Sequence, residues 1–231
     1  MTSISHITLL ALLLAAGCTG KEPRLPALSA ADSATIIDEN LAHRDAMDLF
    51  FQTDPSSPFM RDTSVDYNGI RWFPINPLYR GTSMLHRYAN PETVIVMGTK
   101  GEARRELRYA YFEFPVPDVE GRPVLIRLNA YKFTPYDADR YHRYRNALSV
   151  AFTDETTGKE TYDVGRYLDV GDENPDPTFV YTLDLNKTFN PYCAYSNIFS
   201  CAVPRDEDHI PVPLRVGEMR YHESTQTLSH H

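Results

Sequence analysis

Only three cysteines and one tryptophan occur in these 231 residues, and glycine is held to 11. So few cysteines exclude a disulfide-stapled miniprotein, and so little glycine excludes a collagen-like or glycine-rich low-complexity chain. No apolar run approaches the roughly 18 residues of a membrane-spanning helix. Basic residues are in deficit, 23 against 31 acidic ones, for a formal charge of −8. A surface of that sign repels phosphate backbones, which argues against nucleic acid as a partner. There is no G-x-S-x-G elbow and no phosphate-binding glycine loop; Gly98-Thr99-Lys100-Gly101 reads as a hairpin turn. His43, His86, His142, His209 and His222 are scattered without ligand spacing, so neither a metal nor another cofactor is expected.

What is plentiful is tyrosine (15), phenylalanine (11) and proline (17), a balance that suits a β-rich globular domain. The N-terminus reads as a leader. Ile7 to Ala16 is an apolar stretch of signal-peptide length, and Leu14-Ala15-Ala16-Gly17-Cys18 resembles the lipobox of bacterial lipoproteins. The expected organisation is a lipoprotein signal peptide over 1–17, a tether from a lipidated Cys18 over 18–30, one β-rich domain over 31–222 and a tail over 223–231. The alternative for the leader is an ordinary secretory signal. Thr19 after the cysteine is not Asp, a pattern that sorts lipoproteins to the periplasmic side of the outer membrane in a Gram-negative host. With Cys18 given to the anchor, Cys193 and Cys201 remain. Outside the cytoplasm they are expected to pair, closing a short loop worth roughly 2–3 kcal/mol; two buried free thiols are the alternative.

The fold class expected is mainly β, a single antiparallel β-sandwich or barrel-like domain with an N-terminal helix. Ser29 caps a helix running to Phe51, and Thr53 to Pro58 stops it. Strands are expected over Arg71–Ile75 at an edge, Leu78–Tyr88, Thr93–Gly98, Leu107–Phe114, Val124–Phe133, Ala147–Phe152, Phe179–Asn186 and Ile210–Tyr221. Tyr136–Asn146 reads as a charged, aromatic loop. In Phe179–Asn186 the alternation puts Tyr181, Leu183 and Leu185 on an apolar face, with Asp184 and Asn186 about 7 Å apart on the other. In the last strand Glu218 follows Val212, Leu214 and Val216 on one face, so it needs donors or a cation. Arg166 is the expected partner for Glu218 or Asp184.

Polar and aromatic residues crowd together from Phe152 to Glu218. The set Phe152, Asp154, Thr156, Gly158, Glu160-Thr161-Tyr162 and Gly165-Arg166-Tyr167-Leu168 continues with Asp184, Asn186 and Asn190-Pro191-Tyr192-Cys193-Ala194-Tyr195. Cys201 and Gly217-Glu218 complete it. On these residues the chain resembles the bacterial and archaeal family called domain of unknown function 1684. It departs from the family at Leu185, Asp208 and Val216, where Phe, Asn and Ala are usual. The family carries no established activity, so the resemblance implies a fold and the position of a site, not a chemistry.

The function expected from the residues is a membrane-anchored lipoprotein binding a small polar or anionic ligand. Its site residues are Arg166, Tyr167, Asp184, Asn186, Asn190, Tyr192 and Glu218, with Arg166 as the fork-shaped anchor. Two other readings stand beside it: a hydrolase-like enzyme using Glu218 or Asp184 as acid or base, and a structural polar network that holds no ligand. The anchor is tested by metabolic labelling with a lipid precursor. Cys18→Ser abolishes incorporation if Cys18 is the acylated residue, whereas unchanged labelling removes the assignment.

Overall fold

The structure, a computed structural model, describes residues 22–222. The leader, Cys18 and the start of the tether lie outside them, as does the tail from 223. The domain opens with α1 (Ala30–Thr53), closed at its N-terminus by a capping box in which Ser29 and Asp32 satisfy each other's free donors. Its buried positions are Ile36, Asn40 and Phe51, while Ile37 and Leu41 stay exposed. A short α2 (Pro58–Arg61) follows, started by Ser57 with Pro58 in the first turn.

Two antiparallel sheets make the rest, and they do not close into a barrel. The small sheet pairs β1 (Arg80–Met84) with β7 (Val180–Asp184). The large one runs in the order β2 (His86–Met97), β3 (Ala103–Pro117), β4 (Pro123–Phe133), β5 (Ala147–Asp154), β6 (Arg166–Asp172). A two-residue β8 (His209–Ile210) adds to β5 in parallel. The small sheet lies across the inner face of the large one over a shared core of Phe112, Phe114, Leu128, Val150, Leu183 and Leu214. The approach is close enough to require glycine: a Cβ on Gly81 of β1 would stand 2.2 Å from the Phe114 ring.

Five expectations are corrected. Arg71–Ile75 is no strand, and only Trp72 makes an isolated bridge, to Glu218. Leu78–Tyr88 is not one strand but a 3₁₀ turn, β1 and the start of β2, which belong to different sheets. The charged loop contains a helix, α3 (Ala138–Tyr144), capped by Asp137. Ile210–Tyr221 does not form a strand beyond β8, because Pro211 and Pro213 have no N–H to give a ladder. Strand β7 also ends earlier than expected. Asp184 turns the chain by accepting from Asn186 N–H, starting a 3₁₀ turn over Leu185–Lys187.

Candidate functional site

The seven residues singled out from the sequence divide into two groups. Arg166, Asp184, Asn186 and Glu218 are enclosed. Arg166 sits at the start of β6 with 1% exposure, and its counter-charge is Asp154, at 2.8 Å. The pairing expected with Asp184 or Glu218 is thereby corrected. Its two terminal nitrogens also serve backbone carbonyls of the strandless segment, Leu214 O at 2.8 Å, Val216 O, and Glu218 O at 3.3 Å, while Nε is buried without a partner. Burial lowers the pKa of the guanidinium and the Asp154 carboxylate opposes that shift. Asp154 in turn accepts from Thr156 N–H and Oγ1.

Glu218 does stay inward, fully buried, and what holds it is a pair of donors. Its Oε2 accepts from Asn190 N–H at 2.8 Å and from the Tyr195 hydroxyl. Burial raises its pKa to about 7, against the pull of those donors and of Arg166. Its backbone bends at Gly217, φ +75°, where a Cβ would meet Thr188 Oγ1 at 2.0 Å. Asp184 belongs to a separate network, accepting from Asn40 Nδ2 of α1 at 2.8 Å and from Asn186 Nδ2 at 2.8 Å. Asn186 clamps both backbone groups of Asn76. Neither Glu218 nor Asp184 lines a cavity described below, so the structure lends no support to either as an acid or base acting on a substrate.

Tyr167, Asn190 and Tyr192 form the second group. They line a cavity of about 580 Å³ between the C-terminal half of α1, the outer face of β5 and β6, and the segment after β7. Strand alternation places them there: Leu148 and Val150 of β5 and Leu168 of β6 point into the core, which turns Ser149 and Tyr167 outward. Phe50 and Phe189 give apolar walls, and His43, Ser149 and Lys187 add polar groups. His43, Ser149, Lys187 and Tyr192 make no side-chain hydrogen bond or ion pair with another described residue. Desolvation, with help from Lys187, lowers the pKa of His43 and keeps it neutral at pH 7. Asp169 is the lone carboxylate in the lining, and its Oδ1 is already bound to Gly171 N–H at 2.9 Å. Sequence reading passed over His43 and Lys187 because neither stands in a motif; the parity of β5 was the one signal that pointed to Ser149.

The Cys193–Cys201 bridge is not formed. Both are free thiols, and the Cys201 sulfur accepts from Cys193 N–H at 3.1 Å. The hydrogen bond from Cys201 lowers the Cys193 thiol to about 7. At Asp208, where the family usually has Asn, every contact asks for an acceptor: Asn129 Nδ2, the Tyr131 hydroxyl and Arg205 N–H all donate to it. Among the described residues no cluster of metal-ligating side chains occurs.

Residues 65–219 match the family described as "Protein of unknown function (DUF1684)". The chain is also similar to the solution NMR structure of an uncharacterized protein from Haloarcula marismortui, with 28% identity and a TM-score of 0.54, over 79% of this chain and 92% of that one. Comparison with the curated proteins finds no match.

Two tests follow from the enclosed network. Arg166→Met leaves Asp154 uncompensated and costs about 3–5 kcal/mol. In a double-mutant cycle on denaturant unfolding, its coupling to Asp154→Asn exceeds its coupling to Glu218→Gln; the reverse order would contradict the assigned pair. The second test uses pH. Glu218 has a native pKa of about 7 against an ordinary 4.5, so the folded state holds the proton more tightly. Its contribution is favourable at low pH and is lost as pH rises between those two values. The wild-type melting temperature therefore declines across that window, and Glu218→Gln flattens the decline.

Proposed function

This chain belongs to the DUF1684 family of proteins of unknown function, and we propose that it works as a lipid-anchored binding module of the bacterial cell envelope. Its ligand is a small anion with an apolar body, held in the cavity between α1 and the outer face of β5 and β6. The observation that carries this reading is the convergence of His43, Ser149, Lys187 and Tyr192 on one hollow with no partner of their own. All four are part-exposed, so their donors and acceptors around an aromatic-walled space stand open to a molecule from outside, and Asn190 Oδ1 in the same lining is buried without a partner. The volume falls within the range of small-molecule sites.

Each wall has a chemical task in this reading. Lys187 supplies the cation. His43, kept neutral by its surroundings, and Ser149 and Tyr192 offer hydrogen bonds that fix orientation. Phe50, Phe189 and the Tyr167 ring cover the apolar part, while Tyr167's hydroxyl is held away on Ala202 O at 2.6 Å. Anchoring through Cys18 would present this cavity to the periplasm, on the inner leaflet of the outer membrane in a Gram-negative host.

The test is thermal-shift titration with aromatic and aliphatic monocarboxylates and phosphate monoesters. A ligand at a hundred times its Kd stabilises by about 2.7 kcal/mol, a readily measured rise in melting temperature. Lys187→Met removes that rise while leaving the unliganded melting curve unchanged, because Lys187 has no partner to lose. A response equal in wild type and Lys187→Met, or none to any anion, would refute the reading.

A further inference from the structure

A second cavity, of about 710 Å³, lies further along the large sheet, between the β2–β3 hairpin, the end of β4 and α3. Arg104, Glu106, Phe133 and Arg140 line it, and the same four also line a smaller hollow of about 280 Å³ beside Tyr167 and Cys201. Glu106 thus stands where two spaces meet. Register fixes it there, opposite Val94 on β2 and Phe133 on β4. It is 4% exposed, and its carboxyl makes no hydrogen bond or ion pair with another described residue.

The neighbouring cations are unequally committed. Arg104 donates to Glu102 and, at 2.9 Å, to Ser200 O. Arg105 lies over the Tyr136 ring at 4.3 Å. Arg140 makes a single ionic contact, 3.5 Å to Asp137 of its own helix cap, which leaves most of its fork unengaged. A buried carboxyl without a partner is costly, and an open arginine fork suits a carboxylate or phosphate. Opposite charges that line one hollow without touching describe the molecule that fits between them.

We propose that this cavity binds a small zwitterion, with its primary ammonium on the Glu106 carboxylate and its oxyanion on the Arg140 guanidinium. Free amino acids and phosphoethanolamine-type headgroups share that chemistry. Phe133 and the stacked Arg105–Tyr136 pair flank the carbon skeleton. The site shares no lining residue with the cavity at Lys187, although the smaller hollow, lined also by Ser149, Tyr167, Phe189 and Tyr192, lies between the two.

Protonation gives the site a second signature. Burial raises Glu106 to about 7; Arg104 and Arg140 oppose that shift, and Asp137 and Asp208 add to it. Glu106 must ionise to hold an ammonium, which itself stays charged over this range. Alanine, whose own two charges do not titrate here, therefore binds more tightly at about pH 8 than at about pH 6, whereas a phosphate monoester also titrates at about pH 6.

Saturation-transfer NMR on the full-length protein carrying Lys187→Met, which removes anion binding at the other cavity, tests this, with L-alanine and O-phosphoethanolamine as probes and ethylamine and propionate as single-charge controls. The expected result is binding of a zwitterion, with both controls at least about tenfold weaker and the zwitterion weakened on acidification. Glu106→Gln and Arg140→Met each remove the signal. Arg140 is part-exposed on a short surface helix, so Arg140→Met reports on binding even where Glu106→Gln alters folding. Alanine alone binding identifies free amino acids as the source, and phosphoethanolamine alone identifies headgroup chemistry. Silence from both zwitterions, equal binding of the controls, or an undiminished signal in Arg140→Met overturns the proposal and leaves the reading of the Lys187 cavity intact.

Discussion

One guanidinium stands in for a missing β-strand. The segment after β8 cannot pair, since Pro211 and Pro213 lack N–H groups, yet it must cross the core with its carbonyls buried. Arg166 meets that need, donating to the carbonyls of Leu214, Val216 and Glu218 while its charge is balanced by Asp154. Buried ion pairs are weak contributors to net stability compared with apolar packing. What this one supplies is direction: it specifies where an irregular stretch of backbone lies, which no apolar side chain does. Removing either partner therefore unsettles more than a single contact.

Glu218 extends the same logic to the other side of the segment. Its carboxyl reaches Asn190 N–H and the Tyr195 hydroxyl, and Tyr195 packs in turn on Phe51 of α1 and Phe59 of α2, with ring centroids at 5.2 and 5.3 Å. The two helices are thus tied to the sheet through an aromatic cluster separate from the main core. Burial opposes the charge on Glu218, and the two donors only partly offset it. The position of α1, and with it one wall of the Lys187 cavity, depends on this contact.

Much of the architecture was legible. The N-cap at Ser29, the strands around Tyr111 and Leu128, and the β-rich class all follow from local patterns, and the likeness to the family lies in the polar residues that turn out to hold the core together. The misreadings have local causes. Alternation at Val212, Leu214 and Val216 suggested a strand, but alternating prolines defeat the ladder that a strand requires. Arg166 was matched to the wrong carboxylate because Asp154 precedes it on β5, whose register against β6 sets Phe152 opposite Arg166, and cross-strand register is not readable from one chain. His43, Lys187 and Glu106 carried no motif, and only the fold shows that their side chains have no partner.

Dense motif and working surface are interleaved rather than identical. Along β6, Arg166 turns inward to hold the C-terminal segment, and its neighbour Tyr167 turns outward onto a cavity, because successive strand residues face opposite sides. After β7, Asn190 gives its backbone N–H to Glu218 while it, Phe189 and Tyr192 line the same hollow. Residues that fix the backbone thus alternate with residues that face a cavity, so a dense string of polar side chains need not be a site itself. Here the enclosed members set the positions, and the outward members, with uncommitted groups from α1, β3 and α3, line the cavities to which the two proposals are assigned.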